Sequence, residues 1–221
     1  MKEIIAAWLK SHLINPHAFD GDALCDILAA RIGNPQTPLR ESLGLSVDDF
    51  SELIGFYFRT LPSLWNPQEL CFKLFVHRAL RLPFHCLVCG KAVDEKGHLT
   101  QKSKPLPIQE NPAWVETRAE LQALFAEHES SHPMTRIWGN ITISACQSTN
   151  HLWEDLGVKN RTILSQLLAH YFPPLYAKNH SNMRWKKFFF RMLCEKEGVY
   201  LCKSPNCASC VEYAVCFIQE A

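Results

Sequence analysis

The sequence lacks any surplus of charge. Its 23 Lys and Arg are offset by 22 Asp and Glu in a chain of 221 residues. No global basic field therefore exists to draw in nucleic acid or an anionic membrane surface. Long apolar runs are missing too. No stretch approaches the ~18 consecutive apolar residues of a membrane span. The apolar run at residues 4–9 is too short for the core of a secretory signal and has no small-residue cleavage pattern after it. It reads as part of an amphipathic helix. Period-two alternation and internal repeats are absent, and so are a Gly-x-Gly-x-x-Gly loop and a nucleophile elbow. What the chain does have is ten cysteines. An even number would suit a secreted disulfide scaffold, but the chain is too large and too rich in helical apolar pattern to need such staples. The expectation is a cytoplasmic protein whose thiols serve a metal or the core, with neither membrane nor nucleic acid as a partner.

Helical spacing dominates the remainder. Residues 2–13 are predicted to be helical, as are about 22–31, where Leu24, Ile27, Leu28 and Ile32 share a face. Ser46 and Asp49 form a capping-box pattern ahead of Phe50, Leu53, Ile54 and Tyr57. Asn66-Pro67 and Asn111-Pro112 each place a cap and a first-turn proline before an apolar stripe. Asn160 caps 161–172, and the last helix covers about 183–196. The fold class predicted is all-α: a single helical domain with an irregular insertion and a C-terminal cysteine-rich loop. The N-terminal helical part is 1–83, the insertion 84–112 and the second helical part 113–221. Cys25, Cys146 and Cys194 fall on helices and read as core thiols. The Cys86-x-x-Cys89 pair lies in the insertion. It reads as two loop thiols rather than half of a zinc knuckle completed by His98 and one of His128 or His132, or a redox dithiol.

The densest chemistry is at the C-terminus. Cys202, Cys207, Cys210 and Cys216 are spaced C-x4-C-x2-C-x5-C, and the first three match part of a plant-type iron–sulfur loop. A cluster is several ångströms across, so its ligands must wrap around it, and a single tight loop does this. Pro205 and Asn206 favour a turn between the first two ligands. A structural zinc site and a pair of disulfides remain open alternatives on spacing alone.

The sequence from His151-Leu-Trp-Glu-Asp-Leu-Gly157 onward resembles the NifQ family. Phe172-Pro173, Asn179, Met183-Arg-Trp-Lys-Lys-Phe188, Leu193-Cys194 and the four-cysteine tail carry the resemblance, which is close over about 134–217. Residues 84–112 do not fit the family pattern. The resemblance implies an iron–sulfur protein of bacterial nitrogen fixation. Such a protein receives molybdenum and passes it toward assembly of the nitrogenase iron–molybdenum cofactor. It implies that Cys202, Cys207, Cys210 and Cys216 hold metal, as a three-iron or four-iron cluster with molybdenum in or beside it. It also implies molybdate or a molybdenum donor as the source, with the cofactor assembly scaffold and dinitrogenase reductase as acceptors.

Soft thiolates suit both iron–sulfur units and a thiophilic metal. Molybdate arrives as a dianion, so Arg184, Lys186 and Lys187 are the nearest cationic patch in sequence; a solvated helix face or a docking surface would look the same. His151, His180 and Cys194 are auxiliary candidates for the metal, and the bland reading of each is structural. The expected role is a carrier and not an enzyme. The alternatives are an iron–sulfur electron carrier and a zinc-stabilised interaction module.

Overall fold

The computed structural model describes residues 1–36, 38–65, 71–104 and 112–197. The chain is predominantly helical, as its spacing predicts. Helix α1 is Lys2–Lys10 and α2 is Phe19–Ile32. Leu24, Ile27, Leu28 and Ile32 are all fully buried. Helix α3 is Val47–Tyr57. Its capping box is formed: Ser46 Oγ accepts from Asp49 N at 3.0 Å, and Asp49 Oδ2 accepts from Ser46 N at 3.4 Å. A short helix, α4 (Leu61–Leu64), follows α3, and α5 is Phe72–Leu80. The predicted cap of that helix at Asn66-Pro67 lies outside the described residues.

The second half continues with α6 (Pro112–Ala126), α7 (Thr135–Ala145), α8 (Leu152–Leu156) and α9 (Arg161–Tyr171). Asn160 caps α9 through its side chain, accepting from Ile163 N at 3.1 Å. Pro173 and Pro174 end α9 and at once open α10 (Pro173–Lys178), because proline suits a first turn whose N–H groups need no partner. Helix α11 is Trp185–Glu197. Among the described residues the main core runs from Ile5 to Leu193. Among the described residues no helix is long and apolar enough to cross a membrane.

The segment predicted to be irregular holds a small antiparallel sheet, of order β1-β2-β3. Its strands are β1 (Phe84–His85), β2 (Lys91–Val93) and β3 (Leu99–Gln101). Phe84 pairs with Val93, and Val93 with Leu99. Strands of two or three residues are too short to show an alternating pattern, which is why none is visible in the sequence. The sheet packs on α5 through its own cluster of Leu74, Phe84, Cys86 and Val93, separate from the main core. His77 of α5 stacks on Phe84 at a centroid distance of 3.9 Å.

The main core is pinned by one polar knot. Asp20 Oδ2 accepts from Tyr57 Oη at 2.6 Å and from Tyr171 Oη at 2.5 Å. Trp138 Nε1 donates to Tyr57 Oη at 2.8 Å. Four helices, α2, α3, α7 and α9, thus meet at one buried carboxylate.

Candidate metal centre

The cysteines Cys202, Cys207, Cys210 and Cys216 lie outside the described residues. The helix that leads toward them is described. Its first turn is fixed by Lys186, whose Nζ donates to Ser148 O at 2.7 Å and Asn150 O at 2.8 Å and pairs with Asp155. An ammonium has three protons, and these contacts use all of them. Lys186 therefore ties α11 to the loop between α7 and α8. Lys187 on the same helix is half-buried, as is Arg191, which pairs with Glu195 at 2.7 Å. Arg184 is exposed and precedes α11. Cys194 is buried on α11.

His151 occupies the N-cap of α8 with its ring exposed, and its backbone N–H donates to Glu154 Oε2 at 3.0 Å. The far end of α8 is held by Arg31 of α2, whose Nη1 donates to Leu156 O at 2.7 Å. Gly157 then closes the helix at φ +97°. The His-Leu-Trp-Glu-Asp-Leu-Gly stretch is thus a capped one-turn helix stitched to both α2 and α11. His180 is exposed in the turn after α10, its Nδ1 3.2 Å from Ser181 Oγ. Neither histidine joins a converging group of metal-ligating side chains among the described residues.

The group that does converge was not anticipated from the sequence. Cys71, Cys86 and Cys89 bring their sulfurs within 4.8 Å of one another. Cys71 and Cys89 stand 3.8 Å apart. Cys71 is the N-cap residue of α5. Cys86 and Cys89 flank the tight turn between β1 and β2, closed by Gly90 N donating to Cys86 O at 2.8 Å and Cys86 N donating to Lys91 O at 2.9 Å. Gly90 sits at φ +72°, and a Cβ there would lie 2.2 Å from Ser103 O. Only glycine can make this turn.

The thiols differ in charge preference. The hydrogen bond from Cys71 and the N–H of Cys89 pull Cys86 down to about 5 against its burial. The same bond to Cys86, together with burial, pushes Cys71 up, while the Leu74 N–H of the first helical turn opposes that. Burial raises Cys89, and the Lys91 N–H opposes it. Lys73 is 2% exposed and donates to Asn34 O. Burial lowers its ammonium, and the charges of Cys86, Cys71 and Cys89 counter that.

Cys71 thus completes a set for which His98, His128 and His132 had been the candidates. His98 pairs with Asp94 at 3.1 Å. His128 holds Leu124 O at 2.8 Å and faces Lys178 at 2.7 Å. His132 packs on His170 and Tyr171. The signal for Cys71 was available: a cysteine just before an apolar helical stripe, with a C-x2-C-Gly turn downstream. Cys25 and Cys146 are buried thiols, each raised to about 12 by burial, as a core role requires.

The described residues form a helical protein with one converging group of cysteines, held in a small sheet-capped knuckle. The NifQ family profile matches residues 94–218, more than half of the chain, and so takes in 94–112, part of the segment expected to lie outside the family pattern. The chain belongs to the NifQ family. It is 42% identical over 102 residues to "Protein NifQ" of Azotobacter vinelandii, covering 46% of this chain and 52% of that one. It is 47% identical over 88 residues to "Protein NifQ" of Rhodobacter capsulatus, covering 40% and 49%. With "Protein NifQ" of Klebsiella pneumoniae it shares 36% over 121 residues, covering 53% and 70%. The chain thus spans about half the length of the first two relatives. No solved structure matches it.

Proposed function

We propose that the chain is an iron–sulfur molybdenum carrier that serves nitrogen fixation by donating molybdenum to assembly of the nitrogenase iron–molybdenum cofactor. The observation that carries this reading is the extent of the family match. It runs to residue 218 and takes in Cys202, Cys207, Cys210 and Cys216. The donor set fits the group: four thiolates at this spacing suit a cluster, and thiolate or sulfide suits reduced molybdenum, the cargo. When bound, the cluster supplies sulfide-rich coordination for that cargo.

The described residues support the reading by what they position. Lys186, held to Asp155 and two carbonyls, anchors α11, the helix that precedes the cysteine tail in sequence. Arg184 and Lys187 place cationic charge at the start of the same helix, suited to drawing in molybdate. The role is carriage and not catalysis, with the cofactor scaffold and dinitrogenase reductase as acceptors. The test is iron, sulfide and molybdenum analysis of protein purified without oxygen from a molybdate-fed, nitrogen-fixing host. Brown protein with all three is expected. Colourless protein lacking iron and molybdenum would overturn the proposal.

A further inference from the structure

We propose that Cys71, Cys86 and Cys89 hold a single zinc ion, at a site distinct from the cysteine tail. Size decides between an ion and a cluster. A tetrahedral ion with metal–sulfur bonds of about 2.3 Å sets its sulfurs about 3.8 Å apart. The Cys71–Cys89 separation is 3.8 Å, and all three sulfurs lie within 4.8 Å. The sulfurs on the corners of an iron–sulfur cluster must stand further apart, because several metals and sulfides lie between them. The three thiols therefore frame one atom.

Local structure supports the same occupant. Backbone hydrogen bonds from Gly90 N to Cys86 O at 2.8 Å and from Cys86 N to Lys91 O at 2.9 Å close the turn that holds Cys86 and Cys89 side by side. A turn fixed in this way presents its ligands to a metal ready placed. Zinc with three thiolates carries one net negative charge, and the buried ammonium of Lys73 beside them supplies one positive charge. The three cysteines border a cavity of about 300 Å³ that Arg40, Trp65 and Phe72 also line. A cavity of that size has room for a water molecule as the fourth ligand. A redox disulfide would use two of the thiols and leave the third without a purpose.

The site also answers a stability problem. Among the described residues the sheet's own cluster is small: Phe84, Cys86 and Val93 bury themselves against Leu74 of α5, with Phe75 and Val88 at the edge. So small a core does not hold three short strands by itself, whereas a metal joining α5 to the β1–β2 turn does.

The test uses the full chain with Cys202, Cys207, Cys210 and Cys216 all changed to Ser, so that the tail cannot hold metal. It is produced in zinc-supplemented medium and purified under reducing conditions. One zinc per chain is expected, with no iron or sulfide. Adding Cys71→Ser, Cys86→Ser or Cys89→Ser should lower zinc about tenfold or more, whereas Cys25→Ser should not. Should these substitutions unfold the chain by circular dichroism, cobalt(II) titration of the parent decides. Visible tetrahedral bands with sulfur-to-cobalt charge transfer scaled to three thiolates support the site. A zinc-free parent, zinc that survives Cys71→Ser, a disulfide among the three, or iron with sulfide in their place would each overturn it.

Discussion

At the scale of single residues, Asp20 carries the most structural consequence. Burial pushes its carboxyl up, but hydrogen bonds from Tyr171 and Tyr57 outweigh that and hold it below its usual 3.8. A depressed folded value means stability that is present above the unfolded value and lost as pH falls through the folded one. Thermal melting of the protein should therefore decline below about pH 4, and Asp20→Asn should flatten that decline. Asp20→Ala leaves two buried tyrosine hydroxyls without their acceptor, which costs about 2–3 kcal/mol at neutral pH. A melting temperature unchanged in Asp20→Ala would show the knot to be dispensable. None of this was legible in the sequence. Asp20, Tyr57, Trp138 and Tyr171 are far apart in the chain, and a carboxylate in a helical first turn looks like an ordinary cap-region charge.

Elements were more readable, because caps and stripes are local. Ser46 and Asn160 do in the structure what their positions announced. Asn160→Ala removes one acceptor at the start of α9 and should cost about 1 kcal/mol in chemical denaturation. What could not be read was the small sheet within the segment around Cys86. Its strands span two or three residues, and what organises them is a turn and a set of sulfurs, neither of which has a hydrophobic period. Gly90 shows this best. Its φ of +72° and the 2.2 Å approach to Ser103 O exclude any side chain. Gly90→Ala should thus open the β1–β2 turn, seen as faster amide exchange at Cys86 and Lys91, while protection in α9 is kept. Equal loss of protection in both would mean that the sheet and the helical body unfold as one unit.

At the scale of the molecule, the two groups of cysteines belong to different parts of the chain and should act independently. The family profile begins at residue 94, so Cys71, Cys86 and Cys89 precede it, whereas Cys202, Cys207, Cys210 and Cys216 all fall inside it. Among the described residues the main core runs from Ile5 to Leu193 and is built from the helical body. If the tail is the cargo site proposed above, the helical body should keep its fold when that site is emptied. Each of Cys202→Ser, Cys207→Ser, Cys210→Ser and Cys216→Ser should lower iron and molybdenum sharply, since a hydroxyl is a poor substitute for a soft ligand. Helical circular dichroism should barely change in these variants. The double variant Cys86→Ser with Cys89→Ser should do the reverse, keeping iron and molybdenum while weakening the small sheet. Metal analysis of the five proteins purified side by side without oxygen checks both halves at once. Iron retained in all four tail variants would remove the tail as the cargo site. Iron or molybdenum lost from a folded Cys86→Ser, Cys89→Ser protein would show that the knuckle feeds the tail, and the two groups would then have to be treated as one metal pathway.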